Sequence, residues 1–471
     1  MPDIRYVCLS DLHLGADNSV LTAIQPGGIE TAPMQTDAVM SQFVACLREL
    51  IRHNESPEKP KLVLNGDILE MALTDVNKAA MVFERFVELV FPADGEALFD
   101  KNIIYIPGNH DHHIWENARE TQYVNYIQHI EGGKELPTPW HTTKMFQPDL
   151  VREYFLTNLL QRYPHLRDAV VNVVYPNYAL VREDGQKCVV FSHGHYVESI
   201  YSLMTTLNTM FFPERARPQV VWDLEAENFA WLDFFWSTMG RSGDVGQDIG
   251  IFYAKLQDEK QLGKLINNFL SSLVNQSQQP KFLEGIEVKS LDWLVDKVLA
   301  GRFSLEKNKT AQPLSAEALQ GLHAYMEIFL LEQMCIENKQ FIPPDITFLF
   351  GHTHKPFQQQ MTFAGYPAPV AVYNSGGWVV DKLEPISIYG AAALLVDEDL
   401  HTVSLRMYNQ SPNDADYAVR VEEVSTAGHS SFYERLNALV IPANEPWKLF
   451  SQTIAEAVKL HERVLQEKIN L

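Results

Sequence analysis

Cysteine is scarce. The chain has four in 471 residues, at Cys8, Cys46, Cys188 and Cys335, and no CxxC pair among them. That spacing excludes a disulfide-stapled scaffold and a thiolate zinc site. Cys8 and Cys188 stand inside apolar runs and read as buried, reduced thiols. Long hydrophobic runs are also missing. Nothing approaches the ~18 to 20 uninterrupted apolar residues of a membrane span, and the apolar patch Leu203–Phe212 is broken by Thr and Asn. The N-terminal stretch MPDIRYVCLSDLHLG shows no basic region, apolar core or cleavage site, so no signal peptide is expected and a cytoplasmic location is. Positive charge is the third shortage: 38 Lys and Arg stand against 60 Asp and Glu, a net charge of −22. Nucleic-acid affinity comes largely from neutralising phosphates. With no dense basic run, sequence-independent nucleic-acid binding is not expected.

What the chain does have is core. Hydrophobic residues make up 46% and charged residues 21%, the balance of a globular protein of two or three domains. Short apolar runs end abruptly in Gly, Asp, His or Asn: Ile4–Ser10, Lys61–Asn65, Asn102–Pro107, Cys188–Ser192 and Ile346–Phe350. Such runs predict strands covered on both faces. Helical stretches, Thr36–His53 and Ala79–Val90, separate the first three, and the alternation predicts an α/β sheet with polar residues collected at the strand C-terminal ends. Beyond Gly351 come Val370–Tyr373, Ala391–Val396 and Val403–Tyr408, read as antiparallel strands of a second sheet or a continuation of the first. The stretch Glu445–Leu471 has helical spacing and is expected to cover the core. Between Tyr196 and Phe341 the texture changes to long helical periodicities with Trp222, Trp231, Trp236 and Trp293, punctuated near Gly240–Gly250, and predicts a mainly helical insertion. The expected division is 1–195 core, 196–340 insertion, 341–425 core, and 426–471 a C-terminal helical extension.

Five short motifs stand at the strand ends: Asp11-Leu12-His13, Gly66-Asp67, Gly108-Asn109-His110-Asp111, His193-Gly194-His195 and Gly351-His352-Thr353-His354. One of them alone would mean little; five in this order, each after a strand-like run, is specific. Together they supply carboxylate, imidazole and amide donors and no thiolate. That set suits Mn²⁺, Fe²⁺ or Zn²⁺, and it holds enough donors for two ions, the usual arrangement for in-line attack at phosphorus. The glycines beside the ligands let the backbone turn sharply at a crowded site.

The five blocks resemble the calcineurin-like metallophosphoesterase signature D-x-H, G-D, G-N-H-[DE], H, G-H-x-H, over roughly Met1–His195 and Phe341–Tyr408. The resemblance implies a β-sandwich flanked by helices (an αββα architecture of the α/β class) and a metal-dependent phosphoric ester hydrolase. By that resemblance Asp11, His13 and His354 would hold one metal, Asn109, His193 and His352 the other, and Asp67 would bridge them. Two divalent ions are implied, manganese first, with iron or zinc also fitting, and a bridging hydroxide as nucleophile. His110 would stabilise phosphoryl oxygens or protonate the leaving oxygen, oriented by an acid three residues beyond the bridging Asp, here Glu70. Asp111 reads as support for that set. Ser-Asp-Leu-His-Leu, Gly-Asp-x-x-Glu and Gly-His-Thr-His-Lys-Pro resemble more distantly the UDP-diacylglucosamine pyrophosphohydrolase branch, which also carries a helical lid. The chain departs from that branch in having His110 where the branch has Arg, and in its longer insertion.

Other residues near the motifs have plainer readings. His112, His113 and His195 are expected at the surface or behind the ligands. Asn65 and Asn374 either hold loops or touch phosphate. The aromatic residues Phe211, Phe212, Trp222, Trp231, Phe234, Phe235 and Trp236 read first as the core of a helical subdomain. The alternative is a lid, because the insertion leaves directly after His193 and returns just before His352. The expected substrate is a small or lipid-linked phosphate ester or pyrophosphate, with peripheral membrane contact left open. A metal-dependent nuclease of the same superfamily and a non-catalytic scaffold are the alternatives, disfavoured by the acidic balance and by the complete ligand set.

Overall fold

The computed structural model describes residues 2–211, 214–238, 306, 309, 311–424 and 428–469. In chain order β1 (Tyr6–Leu9), α1 (Ala38–Ile51), β2 (Lys61–Leu64), α2 (Val76–Val90) and β3 (Asn102–Tyr105) form a parallel strand–helix alternation. They are followed by α3 (His113–Ile127), β4 (Val151–Glu153), α4 (Tyr154–Gln161), β5 (Val170–Val173), β6 (Asn177–Val181) and β7 (Lys187–Ser192). Among the described residues the α-helices that follow are α5 (Leu203–Phe211), α6 (Val221–Leu232), α7 (Ala316–Ala324) and α8 (Leu331–Glu337). The remainder is β8 (Asp345–Phe350), β9 (Phe357–Met361), β10 (Val370–Asn374), β11 (Gly390–Val396), β12 (Thr402–Asn409), β13 (Arg420–Glu422), α9 (Ser431–Leu439) and α10 (Trp447–Ile469).

Two sheets result. The larger has eight strands in the order β13-β12-β11-β1-β2-β3-β5-β4, and the smaller has five in the order β6-β7-β8-β10-β9. Side chains alternate across each strand, and the alternation separates three apolar layers. Val7, Leu9, Leu62, Leu64, Ile103 and Tyr105 face helices α1, α2, α4 and α10. Cys8, Val63 and Ile104 point the other way, against Val189, Phe191 and Leu349 of the second sheet. The opposite face of that sheet, with Cys188, Val190, Ile346 and Phe348, packs on Leu322, Tyr325 and Met326 of the following helical region. Both faces of the central strands are therefore covered, which is why their sequences are apolar without interruption. The layering is helix, sheet, sheet, helix, as the resemblance implies.

Local chemistry sets the helix bounds. Asp37 caps α1, its carboxylate accepting the N–H of Val39 at 2.6 Å, so the helix starts two residues inside Thr36. Helix α10 packs Trp447, Phe450, Ile454 and Val458 into the core beside α1, and so covers it; residues 470 and 471 lie outside the described residues. The strands after Gly351 divide between the sheets. β11 extends the first sheet antiparallel to β1, and β12 pairs antiparallel with β11. β10 does not join them: it pairs parallel with β8 and antiparallel with β9, because the loop that follows it must return toward the motif ends. Where described, the segment between β7 and β8 is helical. Residues 239–305, which include Gly240–Gly250 and Trp293, lie outside the described residues, as do Phe212 and the side chains of Phe211 and Phe235.

Candidate metal centre

Four of the five motifs leave their strands through backbone of positive φ, at Asp11 and His13, Gly66 and Asp67, Gly194, and His352 and His354. Nine non-glycine residues have positive φ among the described residues, and five of them are Asp11, His13, Asp67, His352 and His354. A left-handed conformation costs an L-residue roughly 1–2 kcal/mol, so five at one point are held there by their surroundings. Two glycines show why the loops can meet at all. A Cβ at Gly108 would overlap the Asp67 carboxylate, and one at Gly351 would overlap that of Asp11.

The loops bring all nine expected site residues to the sheet ends, and each is buried to 6% exposure or less. His13 and His354 face each other, Nε2 to Nε2, at 3.2 Å, and His354 Nε2 lies 3.6 Å from Asp11 Oδ1. On the other side His193 Nε2 lies 3.1 Å from Asn109 Oδ1 and 3.3 Å from Asp67 Oδ2. That same Asp67 oxygen is 3.8 Å from His13 Nε2, which puts Asp67 between the two groups. Asp11, His13 and His354 offer ligand atoms within 4.8 Å of one another, and so do Asp67, His193 and His352. Glu70 sits behind both histidines of the middle: its Oε2 is 3.0 Å from His13 Nδ1 and its Oε1 2.9 Å from His110 Nδ1.

The donor set fits metal ions on a specific observation. His352 Nε2 is bonded to Glu198 Oε1 at 2.6 Å, while its buried Nδ1 has no hydrogen-bond partner among the described residues. Such an orphaned imidazole nitrogen beside carboxylates is a cation ligand in waiting. The titration behaviour agrees. Burial works against a charged His13, but the Glu70 hydrogen bond and the charges of Asp67, Glu70 and Asp11 raise it to about 9. Burial likewise opposes charge on His193, and Asp67 raises it to about 9. Burial would push Asp67 up, yet the charges of His193, His110 and His13 hold it well below the usual carboxylate range. Protons on these imidazoles supply the positive charge that the carboxylates need.

The supporting residues are mostly acids that no motif announces. Asp381 Oδ2 holds His354 Nδ1 at 2.7 Å, and Glu198 holds His352. Asp111 accepts the N–H groups of Gly108 at 2.6 Å and Ile68 at 2.8 Å, tying two motif loops together. Asn65 and Asn374 also hold loops: the Asn65 side chain donates to Ser192 O and the Asn374 side chain to Gly351 O, at 2.8 and 2.7 Å. His112 is not at the surface. It is fully buried, with Nε2 2.8 Å from Glu225 Oε1 of α6, because the insertion covers it. His113 pairs with Asp233 at 2.9 Å. His195 is buried behind His193, its Nε2 3.4 Å from the Tyr175 hydroxyl, and joins neither ligand group. Tyr201, just inside the insertion, stacks edge-on to His352 with ring centres 4.9 Å apart and takes a hydrogen bond from Asn109 Nδ2 at 3.4 Å.

Comparison with known proteins adds a family. Residues 4–227 match the model for calcineurin-like phosphoesterases; the fifth motif, at Gly351–His354, lies beyond that span. No curated protein matches the chain in sequence. Among solved structures, a dimetal phosphatase from Danio rerio is 11% identical, with 87% of this chain and 97% of that one covered at a TM-score of 0.29, too loose a superposition to bear on fold or function. The match over residues 4–227, just under half of the chain, makes this segment similar to the calcineurin-like phosphoesterases and supports a metal-dependent phosphoric ester hydrolase.

Proposed function

We propose that the centre holds two divalent ions, manganese first among them, and that the protein hydrolyses a phosphate ester or pyrophosphate bond of a small or lipid-linked substrate. Asp11, His13 and His354 would hold one ion, and Asn109, His193 and His352 the other. The observation that carries the reading is Asp67, one of whose oxygens lies 3.3 Å from His193 Nε2 and 3.8 Å from His13 Nε2; a carboxylate there serves both sides. Bound ions would supply Lewis acidity toward phosphoryl oxygens and a water acidified enough to attack phosphorus.

The chain's own residues do the rest. Glu70 fixes the orientation of His110 through Nδ1, leaving the other ring nitrogen to stabilise a phosphoryl oxygen or to protonate the departing one. Gly66, Gly108 and Gly351 keep side chains out of the space the loops share. Tyr201 and the aromatic residues of the insertion would wall the approach and favour an apolar leaving group, which supports the lid reading of 196–340 and a lipid-linked substrate. A net charge of −22 speaks against a nucleic-acid substrate, and the donor chemistry supports manganese. A cytoplasmic site of action is part of the same reading.

The test is hydrolysis of a chromogenic phosphomonoester, a phosphodiester and a nucleotide pyrophosphate with Mn²⁺, with chelator, and by an Asp67→Ala variant. Turnover of one class that disappears in both controls is expected. Full turnover by Asp67→Ala would sink the two-ion assignment.

A further inference from the structure

His352 is the ligand with the most elaborate support, and that support comes from outside the motif loops. Its Nε2 meets Glu198 Oε1 at 2.6 Å. Glu198 stands at the start of the insertion, one residue past the short turn His195–Val197. Its second oxygen, Oε2, accepts the backbone N–H of Glu306 at 2.7 Å. The Glu306 carboxylate in turn accepts from Lys355 Nζ at 2.8 Å and from the Ser315 N–H at 2.8 Å. Lys355 lies three residues beyond His352 in the same loop. The chain of contacts therefore closes on itself: His352, Glu198, Glu306, Lys355 and back through Thr353 and His354.

Two features separate this circuit from ordinary packing. Lys355 and Glu306 form an ion pair whose side chains are 0% and 1% exposed, and removing one partner of such a pair leaves a charge stranded away from water. The circuit also ends on the one ligand nitrogen pair whose roles it decides. With Nε2 committed to a carboxylate, His352 has only Nδ1 to offer an ion, and that atom has no other partner among the described residues. Carboxylates that hold the far nitrogen of a ligating imidazole fix its tautomer and raise its basicity.

We propose that Glu198 is a positioning residue for His352 and that the Glu306–Lys355 pair holds Glu198 in place, so that metal affinity on the His193–His352 side depends on both acids of the insertion being docked. The inference rests on the two-ion reading above. It makes residues 198 and 306, which flank most of the insertion, part of the metal centre's support.

The test uses the full chain stripped of metal and titrated with Mn²⁺ by calorimetry, with the visible spectrum of the Co²⁺ form as a second readout. In Glu198→Gln one acceptor oxygen becomes a donor and the charge is lost. Its His193–His352 site should lose Mn²⁺ affinity by about 10- to 100-fold, with an altered Co²⁺ band and unfolding of the stripped protein near that of wild type. A double variant, Glu306→Gln with Lys355→Met, strands no charge and should shift the same site in the same direction. Wild-type affinity and spectrum in Glu198→Gln would overturn the proposal; if that variant does not fold, wild-type affinity in the double variant would do so. Asp67→Ala separates the two levels. Metal bound by wild type, lost in Asp67→Ala and unchanged in Glu198→Gln would leave the metal centre standing and remove only this inference. A wild-type protein that binds no Mn²⁺ would overturn both.

Discussion

Glu70 and His110 are joined at 2.9 Å, and the other oxygen of the same carboxylate holds His13 at 3.0 Å. One side chain thus orients both His13, a proposed metal ligand, and the histidine proposed to act on the substrate. The Glu70 carboxylate reaches two rings, one with each oxygen. Glu70→Gln keeps the length but offers one acceptor oxygen where two are used. Turnover is expected to fall by about 100-fold or more, the scale of an acid–base contribution, with Mn²⁺ affinity reduced as well. Steady-state kinetics across a Mn²⁺ titration separates the two losses; unchanged kcat at saturating metal would contradict the dual role.

Metal uptake should expel protons. His13 and His193 are raised to about 9 without ions, so at pH 7 both carry a proton that an ion must displace. About two protons released per protein are expected near neutrality, declining as pH rises through 9, because the free imidazoles are then already neutral. Calorimetry in buffers of different ionisation heat reads this directly. Proton release that stays flat from pH 7 to 10 would contradict it.

Gly351→Ala puts a methyl group against the Asp11 carboxylate and the Ser10 side chain. Overpacking of this kind costs about 1–3 kcal/mol. Here it also displaces a ligand, so the variant should lose an ion at Mn²⁺ concentrations that saturate wild type. Denaturant melts and metal analysis of the purified variant check the two effects.

His461 supplies a pH dependence away from the centre. It lies on α10, buried, and takes part in a 2.9 Å hydrogen bond with Asp17 O. Burial, which outweighs the Asp17 contacts, pushes it down to about 4. The unfolded chain binds a proton there below about 6.5 and the folded chain does not. Its effect on stability is nil above pH 6.5 and grows as pH falls toward 4, reaching about 3 kcal/mol of lost stability. The stability difference between wild type and His461→Gln should change by that order between pH 7 and pH 4, in favour of the variant at low pH. A pH-independent difference would exclude the assignment.

The central strands were readable because Val63, Leu349 and their neighbours are covered from both sides, which writes an unbroken apolar run into the chain. The candidate ligands stand out in the sequence because chemistry limits their types and strand ends fix their order. Other parts carried weaker signals. Helix α3 buries only Ile114, Trp115 and Ala118 among the described residues, too few for a period to show. β9, Phe357–Met361, is a polar edge strand and breaks no pattern. Glu198, Glu225 and Asp381 look like any surface acid until the tertiary fold sets them against His352, His112 and His354, and Glu306 until it meets Lys355. The burial of His112 was illegible for the same reason: its environment is made by α6, more than a hundred residues later.

The ligand groups draw on both sheets and on both ends of the core, and this fixes an order of events during synthesis. His352 follows Asp11 by 341 residues. At about 5–20 residues per second, Asp11 leaves the ribosome roughly 17 to 70 seconds before His352, and Asn109 roughly 12 to 50 seconds before it. For that interval the nascent chain carries a carboxylate-rich half-centre without the histidines that finish it, and β1 still lacks its neighbour β11. The finished centre can therefore exist only once the late strands have closed the sandwich, which makes hydrolytic activity a report on nearly the whole length of the chain having folded.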